Sequence, residues 1–185
     1  MLFVKKSMKN SNKKAIFLDR DGTLNYDSNF AYKTEDVIVL PWVKVWLELF
    51  KKLWYLLIVI TNQSGVARWY YTIEDAEKFN AELEKQLWIV FNEIYICPHH
   101  PQDNCTCRKP KLENILKAKK KYNLDLSQSY FIGDRDLDVL CGINAECTTV
   151  YIKNGIHEYT SDVNPDYIVE SLEEFAQMLY IKHQK

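Results

Sequence analysis

Two aspartates separated by one residue follow a short apolar run in Phe17-Leu18-Asp19-Arg20-Asp21-Gly22-Thr23. Residues two apart share a face of an extended chain, and Gly22 lets the backbone turn sharply after them. Two carboxylates at one mouth can hold Mg²⁺ and divide nucleophile and acid/base duties. A lone Asp-x-Asp reads equally well as a pair of solvated turn aspartates. This pair has company. Asp134, in Ile132-Gly133-Asp134-Arg135-Asp136-Leu137-Asp138, also follows an apolar run and would complete a carboxylate cluster for Mg²⁺. Asp136 and Asp138 equally suit the first turn of a helix, where the dipole favours negative charge. A third run ends in Ile60-Thr61-Asn62-Gln63-Ser64-Gly65, whose hydroxyl and backbone N–H groups would cradle a phosphate. Taken alone, Thr-Asn at a strand end is as often a helix cap.

A further cluster lies in Cys97-Pro98-His99-His100-Pro101-Gln102-Asp103-Asn104-Cys105-Thr106-Cys107-Arg108-Lys109-Pro110. Cys-x-His followed by Cys-x-Cys across a short loop supplies the ligands of a tetrahedral Zn²⁺: Cys97, His99, Cys105 and Cys107, with His100 as the rival to His99. Buried free thiols would explain the cysteines, but the segment is polar and rich in turn residues. Four protein ligands leave no open coordination position, so the zinc would be structural. It would stiffen the loop that delivers Arg108 and Lys109. Cys141 and Cys147 read as small packing residues. His157 and His183 have no partners at ligand spacing, and Lys117–Lys121 reads as a solvated helix face.

These groups need a scaffold. The apolar runs Ala15–Leu18, Tyr55–Ile60, Ile94–Cys97, Tyr130–Ile132, Thr149–Ile152 and Tyr167–Val169 are nearly continuous, as buried parallel strands are. Helical stretches lie between them at Val43–Leu53, Ile73–Leu87, Leu112–Tyr122, Leu137–Ile143 and Ser171–Ile181, with Thr72 a candidate N-cap. The alternation predicts an α/β domain around a central parallel sheet over residues 13–185, behind a flexible tail at 1–12. Ligands bind such sheets at the carboxyl ends of the strands, where the residues above lie. Residues 62–107 must supply a helix, a strand and the cysteine loop, which leaves no room for a cap domain. Arg108 and Arg135 would then reach a second anionic group on a substrate.

The whole chain has 185 residues and a formal net charge of -1, which argues against nucleic-acid and membrane-surface partners. Its longest apolar run, Leu53–Ile60, is too short to span a bilayer. The N-terminus lacks the apolar core and cleavage site of a secretory signal. A cytoplasmic monomer with reduced thiols is expected.

Together, FLDRDGTLN, TNQSGVAR, CPHHPQDNCTCRKPK and IGDRDLD resemble the motifs of the haloacid dehalogenase superfamily of phosphatases. They resemble most the branch that contains heptose-bisphosphate phosphatases and histidinol-phosphatases, over about Lys13 to Ile152. The resemblance implies a Rossmann-like three-layer sandwich without a cap domain, carrying a zinc-bound loop. It implies Asp19 as the nucleophile and Asp21 as the acid and base. Mg²⁺ would sit on Asp19, the Asp21 backbone carbonyl and Asp134. Thr61 and Lys109 would hold the phosphoryl oxygens. Asp27, Ser28, Asn29, Phe30, Asn62, Gln63, Ser64, Arg108 and Arg135 would contact the rest of a phosphorylated sugar. TNQSGVAR and the Tyr70-Tyr71-Thr72 that follows favour removal of the 7-phosphate of D-glycero-D-manno-heptose 1,7-bisphosphate. The short cysteine loop and Arg135 lean toward a histidinol-phosphatase. A catalytically idle domain that binds a phosphorylated ligand is the alternative outside enzymes, and the intact Asp19/Asp21 pair disfavours it.

The chain holds as many tryptophans as glycines, five of each. Against the family pattern Trp42, Trp54, Trp69 and Trp88 stand in glycine places, and Trp46 is counted with them. A position after a helix needs φ > 0 and penalises a residue with Cβ by roughly 1–2 kcal/mol. Ordinary loop tryptophans account for any one site but poorly for all of them. The expectation is that the natural chain carries glycine there, through a UGA codon that some bacterial codes read as glycine. Glu113 and Glu146 also occupy places where glycine is common.

Overall fold

Each apolar run expected to be a strand is one. The computed structural model describes residues 12–184; most of the expected tail, 1–11, lies outside the described residues, as does residue 185. In chain order the elements are β1 (Lys14–Leu18), α1 (Val43–Lys52), β2 (Tyr55–Asn62), α2 (Ile73–Leu87), β3 (Glu93–Cys97), α3 (Glu113–Tyr122), β4 (Tyr130–Gly133), α4 (Asp136–Asn144), β5 (Thr148–Ile152), β6 (Tyr167–Val169) and α5 (Leu172–His183). Thr72 caps α2 in a reciprocal box with Asp75.

The strands form one sheet in the order β3-β2-β1-β4-β5-β6, and every pair is parallel. Alternation along β1 assigns its faces. Ile16 and Leu18 join a core with Leu47 and Phe50 of α1, Phe79 and Leu83 of α2, and Phe175 and Leu179 of α5. Ala15 and Phe17 join the opposite core with Ile115 and Ala118 of α3 and Cys141 of α4. The result is a three-layer α/β/α sandwich. Cys141 and Cys147 are buried packing residues, as expected. Between β1 and α1 the described chain forms only a short 3-10 turn, Thr34–Asp36, so loops alone roof the sheet there.

Register then builds the mouth. Leu18 pairs with Val59 on one side and Ile132 on the other. Asp19 therefore leaves the sheet between the ends of β2 and β4, which deliver Thr61 and Asp134. This is where the order reverses about β1, and open α/β sheets have a crevice at such a point.

Four of the five tryptophans sit in left-handed backbone: Trp42 at φ 65°, Trp54 at 66°, Trp69 at 61° and Trp88 at 54°. Trp54 and Trp88 follow the last turns of α1 and α2, whereas Trp42 precedes α1 and Trp69 lies in a turn after β2. Their side chains are 68, 86, 93 and 81% exposed in that order, so burial returns almost nothing for the strain. Trp46 differs from the expectation. It is an interior residue of α1, packed partly against the core, and its backbone gives no reason for glycine. Glu146 is at φ 59°, in keeping with a glycine place; Glu113 begins α3 without a positive φ.

Candidate active site

Asp19 is buried at the end of β1 and its backbone N–H donates to the Ile132 carbonyl at 2.9 Å. The Lys109 ammonium lies 2.7 Å from Asp19 Oδ1 and 2.7 Å from Asp138 Oδ1. Burial and the neighbouring Asp138 push the Asp19 carboxyl up to about 7, with Lys109 pulling the other way. Burial would lower Lys109, but Asp138 and Asp19 outweigh it and hold the ammonium above its ordinary value. The lysine is therefore a fixed positive charge beside the proposed nucleophile. Asn62 clasps its backbone: Asn62 Oδ1 accepts from the Lys109 N–H at 3.1 Å, and Asn62 Nδ2 donates to its carbonyl at 3.4 Å.

Asp134 is fully buried at the end of β4, and burial followed by Asp19 pushes it up to about 6. Its Oδ1 is buried without a hydrogen-bond partner among the described residues. Asp19, Asp134 and Asp138 offer carboxylate oxygens within 4.8 Å of one another. A bare buried carboxylate oxygen in such a group costs free energy unless a cation or proton meets it, so these side chains fit a hard divalent ion. The turn above is glycine-dependent. Gly22 has φ +80°, and a Cβ there would stand 2.1 Å from Asp134 Oδ2. Gly22→Ala is expected to displace Asp134 and reduce turnover by roughly 100-fold, as misplacement by about an ångström does; steady-state assay checks it.

Asp21 is saturated with donors. Arg20 gives it two bonds, Nε to Oδ1 at 3.0 Å and Nη2 to Oδ2 at 2.8 Å. Asn25 Nδ2 reaches Oδ1 at 2.9 Å and Gln63 Nε2 reaches Oδ2 at 2.8 Å. Arg20 is itself buried, bonded to Asn80 at 3.0 Å and 4.2 Å over the Phe79 ring. Helix α2 thus clamps Asp21 through Arg20. Gln63 also donates to Thr61 Oγ1 at 2.7 Å and accepts from the Tyr71 hydroxyl at 2.7 Å.

The mouth is a cavity of about 170 Å³ lined by Asp19, Asp21, Asp27, Asn29, Phe30, Thr61, Asn62, Gln63, Ser64, Tyr71, Arg108, Lys109, Arg135, Leu137 and Asp138. Ser28 does not line it; it is an exposed loop residue. Arg108 carries a buried Nη1 without a partner among the described residues. Arg135 also lines the mouth and pairs with Asp27, its Nη2 2.6 Å from Asp27 Oδ2. Burial raises the Asp27 carboxyl, but the His157 contact, the Asn29 N–H and Arg135 together hold it below its ordinary value.

Cys97, His99, Cys105 and Cys107 offer ligand atoms within 4.8 Å of one another. The Cys97–Cys105 and Cys105–Cys107 sulfurs are 3.7 Å apart, and all five cysteines are free. A tetrahedron with metal–sulfur bonds of about 2.3 Å has edges near 3.8 Å, so the four atoms fit Zn²⁺. His99 presents Nδ1, 3.7 Å from the Cys97 sulfur and 3.2 Å from that of Cys107. His100 is occupied otherwise, accepting from the Gln102 N–H at 3.3 Å. Arg108 and Lys109 follow Cys107 directly.

A family model described as HAD-hydrolase-like matches residues 106–175. A D-glycero-β-D-manno-heptose-1,7-bisphosphate 7-phosphatase of Helicobacter pylori is 43% identical over 137 residues, covering 72% of this chain and 79% of the relative. The chain belongs to the HAD-like hydrolases. A D-glycero-α-D-manno-heptose-1,7-bisphosphate 7-phosphatase of Campylobacter jejuni is 41% identical over 144 residues, 76% of this chain and 83% of that one. The D,D-heptose 1,7-bisphosphate phosphatase of B. bronchiseptica, solved with magnesium and phosphate, superposes with a TM-score of 0.81. It is 25% identical over 91% of this chain and 99% of its own. This HAD-like hydrolase is a phosphoric monoester hydrolase.

Several residues of the hydrolase site escaped the sequence. Asp138 was legible only as a helix-start aspartate; in the fold it is buried and shares Lys109 with Asp19. Tyr71 lines the mouth from the turn before α2. His157, expected to have no partners at ligand spacing, reaches Asp27 Oδ2 at 3.1 Å from the β5–β6 loop. The Asn154-Gly155 pair, a turn signal at a strand end, was the one local hint that this loop bends back over the site.

Proposed function

We propose that this hydrolase removes the 7-phosphate of D-glycero-D-manno-heptose 1,7-bisphosphate with the help of Mg²⁺, through an aspartyl-phosphate on Asp19. The observation that carries it is the Asp19–Lys109–Asp138 group beside the bare oxygen of Asp134, in a chain whose close relatives bear that activity in their names. Asp19 attacks phosphorus, and the bond to the sugar oxygen breaks as Asp21 gives that oxygen its proton. Asp21 then takes a proton from water, whose oxygen attacks the aspartyl-phosphate and releases inorganic phosphate. Lys109 and Thr61 hold the phosphoryl oxygens, and Lys109 offsets the repulsion between Asp19 and the anion. Mg²⁺, when bound to Asp19, Asp134 and the Asp21 carbonyl, supplies further charge neutralisation. Asp21 releases one of its four donors when it carries a proton. Arg108, with an unpartnered buried nitrogen, meets the substrate's second phosphate. Asp27, Asn29, Phe30, Asn62, Gln63, Ser64 and Arg135 shape the rest of the mouth, with Ser28 on its outer loop.

Rates on the α and β anomers of heptose 1,7-bisphosphate, compared with histidinol phosphate, test the substrate. A heptose preference is expected; faster release from histidinol phosphate would overturn it. The same proposal takes the chain as a cytoplasmic monomer with one domain over 13–185. Among the described residues no helix is long and apolar enough to cross a membrane.

Zinc on Cys97, His99, Cys105 and Cys107 has a structural part in this proposal, holding Arg108 and Lys109 at the mouth. Cys105→Ser is expected to release the zinc and lower kcat/KM by roughly 10- to 100-fold, while Mg²⁺ affinity stays unchanged. Metal analysis beside steady-state kinetics checks it, and full activity without zinc would refute the role.

A further inference from the structure

Asn154 stands two residues beyond β5, at the carboxyl edge of the sheet next to β4. Its Oδ1 accepts the Ile156 N–H at 2.9 Å, which settles the orientation of the amide. The Nδ2 end donates to the Gly22 carbonyl at 3.1 Å and to Asp134 Oδ2 at 2.9 Å. One amide thus ties the turn after Asp21 to the buried carboxylate at the end of β4. It occupies one oxygen of Asp134, and the other is the oxygen left without a partner. A carboxylate held through one oxygen cannot turn freely about its last torsion.

The loop that carries Asn154 is fastened at several points. Gly155 takes φ +76°, which allows the bend. The Tyr151 hydroxyl donates to the His157 carbonyl at 2.9 Å, and His157 Nε2 contacts Asp27 Oδ2 at 3.1 Å. Further along, Thr160 donates to Asp136 Oδ2 through its N–H at 3.1 Å and its hydroxyl at 2.7 Å. Asn154 is therefore presented to Asp134 by a braced segment.

We propose that Asn154 is a positioning residue for the divalent cation, acting by fixing the rotamer of Asp134, and that the β5–β6 loop is thereby a working part of the site. It rests on the Mg²⁺ site proposed above. Groups that orient a ligating side chain typically contribute 10- to 100-fold to metal affinity. The test is calorimetric titration of metal-free protein with Mg²⁺. Asn154→Ala is expected to weaken binding by roughly 10- to 100-fold. The Mg²⁺ concentration for half-maximal rate should move by the same factor, while the substrate KM at saturating Mg²⁺ stays put. Thr160→Val, which removes only the hydroxyl bond to Asp136 away from Asp134, should cost clearly less affinity than Asn154→Ala. Wild-type affinity in Asn154→Ala overturns the inference. So does an equal loss in Thr160→Val, which would assign the effect to loop docking rather than to the amide. Should the alanine variant not fold, Asn154→Ser takes its place with the same expected loss, its hydroxyl being too short to reach both acceptors. A wild type that binds no Mg²⁺ overturns the cation site itself, a result distinct from the others.

Discussion

Asp19→Asn is expected to lower turnover by roughly 10⁴-fold or more, the scale seen when a covalent nucleophile is removed. The amide keeps the shape but has no anionic oxygen to attack phosphorus. Stability should not fall with it. The Asp19 carboxyl is pushed up to about 7 by burial and by Asp138, so its charge is a burden on the fold, and Lys109 keeps Asp138 as a partner at 2.7 Å. Phosphate release with Mg²⁺ and a thermal melt, run side by side, separate the two effects. Equal activity in variant and parent would remove Asp19 from the chemistry. An inert parent, correctly folded, would favour the non-catalytic domain that binds a phosphorylated ligand.

The second large effect concerns stability. Replacing Trp42, Trp54, Trp69 and Trp88 together by glycine is expected to stabilise the fold by roughly 3 kcal/mol. Each left-handed residue with a Cβ costs roughly 1–2 kcal/mol, and the freer unfolded chain that glycine brings returns about 0.4–1 of that. The positions are spread over separate turns, so the gains should nearly add. The melting temperature would rise by roughly 6–12 °C in a chain of this size. Little is lost in contacts, since the four indoles are largely exposed; the interaction of Lys44 with the Trp88 ring, at 5.1 Å, is the chief one. A Trp46→Gly control should do the opposite, because it opens the interior of α1. Mass spectrometry of the protein from its native cells is expected to find glycine at 42, 54, 69 and 88, and tryptophan at all four would end that expectation.

Much of the site was legible because its residues follow apolar runs that must be strands. An unbroken apolar run can only be buried, buried strands pair in parallel when helices join them, and the polar residues after them must then meet at one edge. That reasoning reached Asp19, Asp21, Thr61 and Asp134 from local pattern. Spacing likewise marked Cys97, Cys105 and Cys107, since a tetrahedral ion needs ligands at short, turn-like intervals. Local chemistry also anticipated Thr72 as the cap of α2.

The tertiary structure alone decided which charges share a partner. That Asp138 rather than Asp136 takes Lys109, that Arg20 is clamped by Asn80 and Phe79, and that Asp27 answers both Arg135 and His157 are contacts between segments distant in the chain. No periodicity reports them, because a hydrogen bond depends on where two side chains end in space, whereas hydrophobic pattern reports only which side of an element is dry. The same limit applies to tryptophan. Its composition excess was visible in the sequence, but only backbone angles separate Trp46, which helix packing can use, from four that occupy conformations suited to glycine.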